Sequence, residues 1–151
     1  CGLLGSKFGL SAPVLIRWYA KRGVHATAGI VRNTSEAVFR EIATEEYWTP
    51  AFCPVLPHGV AAMVFDHGYN RGVGTSVKLL QRTLHVDDDG QIGSVSLKAI
   101  ERADRHTLLA HLHENQRADY ESLAGIKETP GWLLRADRRY KLAFELEGLK
   151  S

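Results

Sequence analysis

Cysteine is nearly absent from this chain: Cys1 and Cys53 are the only two in 151 residues. So few thiols in so long a chain exclude a disulfide-scaffolded fold. The two could bond only if the fold brought them together, and a terminal Cys1 reads as free. Long apolar runs are absent too. None approaches the ~18–20 residues that a membrane-spanning helix needs. Lys7 and Arg17 interrupt the first apolar stretch, unlike the layout of a signal peptide, so the expectation is that export, if it happens, is not encoded in this chain. A strong excess of either charge is also lacking. Nineteen basic and seventeen acidic residues leave +2. That balance slightly favours an anionic polymer surface but is far too weak for a nucleic-acid binder. Internal repeats and low-complexity tracts do not occur.

What is present is ordinary globular material, 44% hydrophobic and 24% charged, in a length that suits one domain with one core. The pattern predicts successive short helices, with room for a short hairpin at residues 1–10. Ser11 and Pro13 suit the start of a helix carrying Val14, Leu15, Trp18 and Tyr19. Residues 23–32 read as a loop. Asn33 and Glu36 have capping-box spacing ahead of an apolar stripe of Val38, Phe39 and Ile42, in a helix running to about Trp48. Pro50, Pro54 and Pro57 interrupt regular structure.

Residues 59–69 are apolar almost all round, which predicts a buried helix. Asn70, Arg71, Gly72 and Gly74 break it, and Thr75 or Ser76 suits the next start. The Asp87-Asp88-Asp89-Gly90 run predicts a turn with positive φ at Gly90. Ser94 starts a helix through Leu97 and Ile100. Asp104 caps a longer one that Gly125 stops, and Thr129-Pro130 opens the last.

Metal chemistry finds little support. His111 and His113, two apart on a helix, point away from each other. The zinc-protease spacing from His113-Glu114 ends on Arg117, a cation. A calcium loop built on Asp87 and Asp89 would need ligands at His85 and Ser96, and its bidentate glutamate is missing. No Gly-x-Ser-x-Gly elbow occurs, and Cys53 reads as a buried, inert thiol. No cofactor motif occurs.

Carboxylates and aromatics remain. Glycoside hydrolysis uses two carboxyl groups, one protonated and one ionised. Asp66 lies in an otherwise apolar helix, where burial is costly without a partner. It reads first as a structural acceptor for a nearby loop, and second as a catalytic candidate. Glu46, with Glu45, precedes Tyr47-Trp48; an ordinary helix surface is the simpler reading. Phe8, Tyr47, Trp48 and Tyr69 lie near element ends, where rings suit the apolar face of a sugar.

These residues bring a family into view. Lys7-Phe8-Gly9-Leu10-Ser11 resembles the Thr-x-Tyr-Gly-Ile-Thr/Ser segment of glycoside hydrolase family 108, with Ser6 where the family usually has Thr. Glu46-Tyr47-Trp48 and the prolines after it resemble its Tyr-Trp-Asp-Pro segment. Val64-Phe65-Asp66-His67-Gly68-Tyr69-Asn70-Arg71-Gly72 resembles Val-Phe-Asp-x-Ala-Val-Asn-x-Gly. Val77-Lys78-Leu79-Leu80-Gln81-Arg82 and Asp89-Gly90-Gln91-Ile92-Gly93 resemble the predicted peptidoglycan-binding part. Arg117 with Tyr120, and Gly131-Trp132 with Arg135 and Arg139, resemble the C-terminal helices. His67 and Gly68 depart from the small apolar residues of the family.

The resemblance implies a mainly α, lysozyme-like domain over 1–151. Residues 1–50 would belong to the muramidase part and 51–151 to the peptidoglycan-binding part. It implies cleavage of the β-1,4 bond after N-acetylmuramic acid in the cell wall, in the periplasm or outside the cell, with glycan strands as partner. Some family members are labelled secretion activators, so a wall-binding or secretion-associated protein without catalysis is the alternative. The implied substrate-binding residues are Ser6, Phe8, Tyr47, Trp48, Asp66 and Asn70, with Asn70 taking an N-acetyl group and Asp66 bracing it. The family's Glu-Gly-Gly-Tyr motif, which holds the catalytic glutamate, lies upstream of the Thr-x-Tyr-Gly segment and matches nothing here. The expectation is therefore a truncated form, with Asp66 and Glu46 as weak substitutes. An exposed apolar patch on Trp18 or Trp132 would instead mark a protein-binding partner.

Overall fold

The computed structural model describes the backbone of Ser6 and Lys7, and residues 10–123 and 125–150 in full. These residues fall into two compact units, one ending at Glu46 and one starting at Tyr47. Phe8, one of the expected sugar-binding residues, lies outside the described residues, as does the side chain of Ser6.

In the first unit a hairpin joins β1 (Ser6–Lys7) to β2 (Leu10–Ser11), antiparallel, with Ser6 opposite Ser11 and Lys7 opposite Leu10. Helix α1 (Ala12–Ala20) follows, with Pro13 in its first turn. Ser11 occupies the cap position, but its side chain makes no capping bond. Ala12, Leu15 and Trp18 recur every three residues and are buried.

Two expectations fail in the next stretch. The loop expected at 23–32 ends in a short helix, α2 (Ala28–Arg32), opened by the Thr27 hydroxyl accepting the Ile30 N–H at 3.3 Å. Asn33 closes α2 and is not the start of a capping box. Ser35 caps α3 (Glu36–Ala43), accepting the Val38 N–H at 3.2 Å. Phe39 and Ile42 are its buried residues. A π-helical turn, Thr44–Trp48, continues α3 toward the proline-rich link.

In the second unit, a 3-10 turn at Cys53–Val55 leads into α4 (His58–Arg71). This helix packs against α5 (Val73–Thr83), α7 (Arg105–Glu121) and α8 (Thr129–Leu146). That central position explains its lack of a polar face. Val60, Ala61, Met63 and Val64 are all almost fully buried, and even its backbone carbonyls receive side chains. Ser76 Oγ donates to Val64 O at 2.8 Å, and Gln116 Nε2 to Met63 O at 3.0 Å. Leu80, Leu109 and Leu112 close the same core at 0% exposure, each contributing ~1.5–3 kcal/mol of hydrophobic stabilisation.

The break after α4 is shorter than the sequence suggests. Gly72 alone, at φ 94°, turns the chain. Helix α5 then starts at Val73, and the hydroxyl of Ser76 serves α4 instead of capping. The acidic turn forms as expected, with Gly90 at φ 79°. The Gln81 side chain holds it, accepting the Gly90 N–H at 2.9 Å and donating to Asp89 Oδ1 at 3.0 Å. Helix α6 (Ser94–Arg102) follows. Asp104 caps α7 through the Thr107 N–H. Thr129 does not cap α8: it is the first helical residue, and its hydroxyl donates to Leu123 O. Among the described residues, no helix is long and apolar enough to cross a membrane.

Candidate functional site

Helix α4 sends its polar residues in two directions. Asp66, Tyr69 and Asn70 stand at i, i+3 and i+4 on one side, and His67 and Arg71 at i and i+4 on the next.

Asp66 is 3% exposed. Its partners come from α8, not from the nearby loop that the sequence suggested. Arg135 Nη2 reaches Oδ1 at 2.7 Å and Arg139 Nη2 reaches the same oxygen at 3.2 Å. The hydrogen bond from Arg135 to Asp66 pushes the guanidinium's pKa up further, with neighbouring Tyr120 and Tyr69 adding to the shift. Asn70 Nδ2 donates to Tyr120 OH at 3.3 Å. Burial pushes the phenols of Tyr69 and Tyr120 up to about 12, so both are neutral hydroxyls at any physiological pH.

Beside this polar group runs a chain of rings. Tyr47 lies 4.8 Å from Tyr69, Tyr69 lies 6.1 Å from Phe65, and Phe65 lies 5.6 Å from Trp48. All four are half-buried. The structure thus brings Tyr47, Trp48, Asp66 and Asn70 into one unit, around the second half of α4.

The other side of α4 holds a second cluster that the sequence did not reveal. His67, 1% exposed, shares a hydrogen bond with Asp119 Oδ2 at 2.8 Å. Arg71 clasps the same carboxylate through Nε at 2.8 Å and Nη2 at 3.4 Å. Burial alone would raise Asp119, but the bonds from Arg71 and His67 outweigh it and hold it low. An ionised carboxylate only accepts, so His67 carries its proton on Nε2. Nδ1 is buried without a partner. Burial therefore holds His67 below its ordinary value, against the pull of Asp119. The one signal in sequence was a histidine and an arginine at i, i+4 in a helix that is otherwise apolar.

Glu46 lies in the first unit, where Lys21 Nζ meets it at 3.1 Å and Arg17 Nη2 at 3.6 Å. Glu45 accepts from Arg22 at 2.8 Å and from the Trp18 indole at 3.0 Å. The bond from Arg22 is the main cause of its lowered pKa. Among the described residues, no group of three or more His, Cys, Asp or Glu side chains is placed to hold a metal. His113, one of the two histidines weighed for a metal, is half-buried. It stacks on Tyr140 at 4.2 Å, with rings 2° from parallel, and shares a hydrogen bond with Asp137. Cys53 is buried, its thiol pushed up to about 12 by that burial.

Eight helices and one minimal hairpin among the described residues make this a mainly α, lysozyme-like fold. It superposes on the structure of Brucella abortus SagA with a TM-score of 0.83, at 24% identity, covering 94% of this chain and 80% of that one. Residues 5–72 match the family model described as Glycosyl hydrolase 108. The matched segment ends where α4 meets Gly72 and covers less than half of the chain. No curated protein matches the sequence.

Proposed function

We propose that this chain belongs to a peptidoglycan hydrolase of the N-acetylmuramidase type, and that its second unit holds the wall glycan. The observation that carries the reading is the ring chain Trp48, Phe65, Tyr69 and Tyr47 set beside the Asn70 amide and the Asp66–arginine cluster. Pyranose faces stack on rings of this kind, and an amide side chain offers both a donor and an acceptor to an N-acetyl group. The family match points to the same chemistry.

The carboxylates described here are poor proton donors for cleavage. The Oδ1 of Asp66 already accepts two guanidinium bonds, an acceptor's role, whereas a general acid must donate. Glu46 is paired with two cations. On this reading neither Asp66 nor Glu46 serves as the acid, and the described residues bind wall polymer. The alternative, a protein-binding partner in secretion, would need an exposed apolar patch. Trp18 is 4% exposed, with Arg22 lying 3.7 Å over its ring, and Trp132 packs on Tyr120.

The test pairs two assays on the purified chain. Sedimentation with insoluble peptidoglycan should give saturable binding that Trp48→Ala weakens about tenfold, the loss expected for one stacking ring at ~1–1.5 kcal/mol. Reducing ends should not accumulate. Absence of any binding would refute the glycan reading, and steady release of reducing ends would refute the account of the carboxylates.

A further inference from the structure

We propose that Arg135 and Arg139 form an anion subsite that takes a carboxylate of the wall polymer. The proposal rests on the glycan reading above and specifies which part of the polymer the site selects.

The two clusters on α4 are built from similar parts but balance differently. On the His67 side, one guanidinium, Arg71, forks onto one carboxylate, Asp119, while burial disfavours the charged form of the histidine. That cluster is neutral. On the Asp66 side, two guanidiniums share one carboxylate, which leaves a net +1. Both reach a single oxygen, so neither makes the two-pronged contact that an arginine and a carboxylate prefer. Tyr69, Tyr120 and Asn70 stand close by and supply no negative charge.

A guanidinium carries five N–H groups. Each of these two guanidiniums gives Asp66 Oδ1 a single donor, its Nη2. Arg139 Nε is buried without a partner, so the hydrogen-bonding capacity of this guanidinium is not met within the protein. The Arg135 side chain is 48% exposed and that of Arg139 36%, while Asp66 beneath them is 4% exposed. The anion already in place is covered, and the surplus cation faces outward.

Peptidoglycan offers carboxylates from two sources: the lactyl group of muramic acid where no stem is attached, and the peptide stem. A neutral N-acetylglucosamine polymer offers none. An arginine fork at this position would separate wall glycan from chitin-like glycan, a choice that ring stacking cannot make.

The experiment is isothermal titration of the full chain, at low salt, with four soluble ligands. These are a tetrasaccharide of alternating N-acetylglucosamine and N-acetylmuramic acid with free lactyl carboxylates, the same with those groups methyl-amidated, the same carrying stem peptides, and N-acetylglucosamine tetrasaccharide. A carboxylate-bearing ligand should bind at least tenfold more tightly than the two neutral ones, with a preference that shrinks as salt rises. The tighter of the two charged ligands identifies the source. Arg135→Gln should remove the preference, Arg135→Lys should keep only part of it, and Arg138→Gln, at an exposed neighbour on α8, should leave it intact. Equal binding of all four ligands overturns the anion subsite and leaves the glycan reading standing. An equal loss on all four in Arg135→Gln also overturns it, because a merely bracing arginine would act on every ligand alike. Binding of none refutes both.

Discussion

Gly59 lies at the start of α4 against the end of α8, and the closeness of that approach can be measured. A methyl group built on Gly59 would sit 2.6 Å from the backbone oxygen of Ala143 and 2.6 Å from Cγ of Glu147. The Glu147 side chain could swing aside, but it is already committed. Its Oε1 accepts the Gly59 N–H at 2.9 Å, satisfying one of the free donors at the start of the helix. Moving it forfeits about 1 kcal/mol. The carbonyl of Ala143 belongs to helical backbone and cannot yield without separating the helices, an overpacking cost of ~1–3 kcal/mol. Replacing glycine by alanine in a helix returns at most ~1 kcal/mol. Gly59→Ala should therefore destabilise by about 1–3 kcal/mol. Gly68, about two and a half turns further along α4, is the internal control. Its added methyl would meet Ser76 Cβ at 3.4 Å and Val73 Cα at 3.6 Å, ordinary contact distances. Gly68→Ala should gain the helix term and stabilise by ~0.5–1 kcal/mol. Urea unfolding followed by tryptophan fluorescence reads both. If Gly59→Ala is as stable as the parent, α4 and α8 do not cross this closely, and the account of the site loses its frame. If Gly68→Ala destabilises by more than ~1 kcal/mol, the α4–α5 corner is tighter than described.

Three further outcomes follow from the charged and buried groups. His67 has its pKa depressed by burial, so the native protein favours its neutral form while the unfolded chain titrates near 6.5; its contribution is complete above that value and is lost as pH falls below it, by at most ~1.4 kcal/mol per pH unit, ceasing below the native value. A thermal-shift series across pH 7 to 5 should show that slope and His67→Gln should flatten it; identical slopes would contradict the assignment. Asp66→Asn leaves two guanidiniums facing a neutral amide and should cost ~1–3 kcal/mol, less than a fully buried pair because both arginines are partly exposed; a cost near zero in urea unfolding would mean that the cluster is not formed in solution. Cys53, buried with its thiol raised to about 12, should resist iodoacetamide at pH 8 until denaturant is added, and rapid native alkylation mapped by mass spectrometry would contradict its burial.

What could be read from sequence was whatever a single element decides by itself. Helix α4 declared its burial because Val60, Ala61, Met63 and Val64 leave no polar face. The acidic turn declared itself through Gly90, and α7 through Asp104. The failures lie where a short element depends on its neighbours. Helix α2 spans only Ala28–Arg32, too short for a 3.6-residue period to show, so its stretch read as loop and its last cap, Asn33, read as the start of α3. Ser76 and Thr129 have the chemistry of caps, but their hydroxyls find better acceptors, Val64 O on α4 and Leu123 O just before α8. A capping residue is a local signal that a tertiary carbonyl can override.

The site shows the same division. Two pairs at helical spacing, Asp66 with Asn70 and Arg135 with Arg139, are visible in sequence, and each says which residues share a helix face. Neither says that the two faces meet. Asp66 and Arg135 are 69 positions apart, and His67 and Asp119 are 52 apart. The cost of burying a carboxylate showed only that Asp66 needed a partner, and a nearby loop was the economical choice. What the fold adds is the count: two arginines where one would neutralise the charge. That surplus is invisible to composition, because the whole chain carries only +2, and invisible to periodicity, because it arises between helices. Asp66→Asn and Arg135→Gln therefore make opposite predictions for a charged ligand. Removing the carboxylate raises the local charge and should strengthen binding of a carboxylate-bearing glycan at low salt while weakening the fold. Removing the arginine should weaken binding and largely spare the fold. If both variants weaken binding alike, Asp66 touches the ligand itself and the division of labour drawn here is wrong.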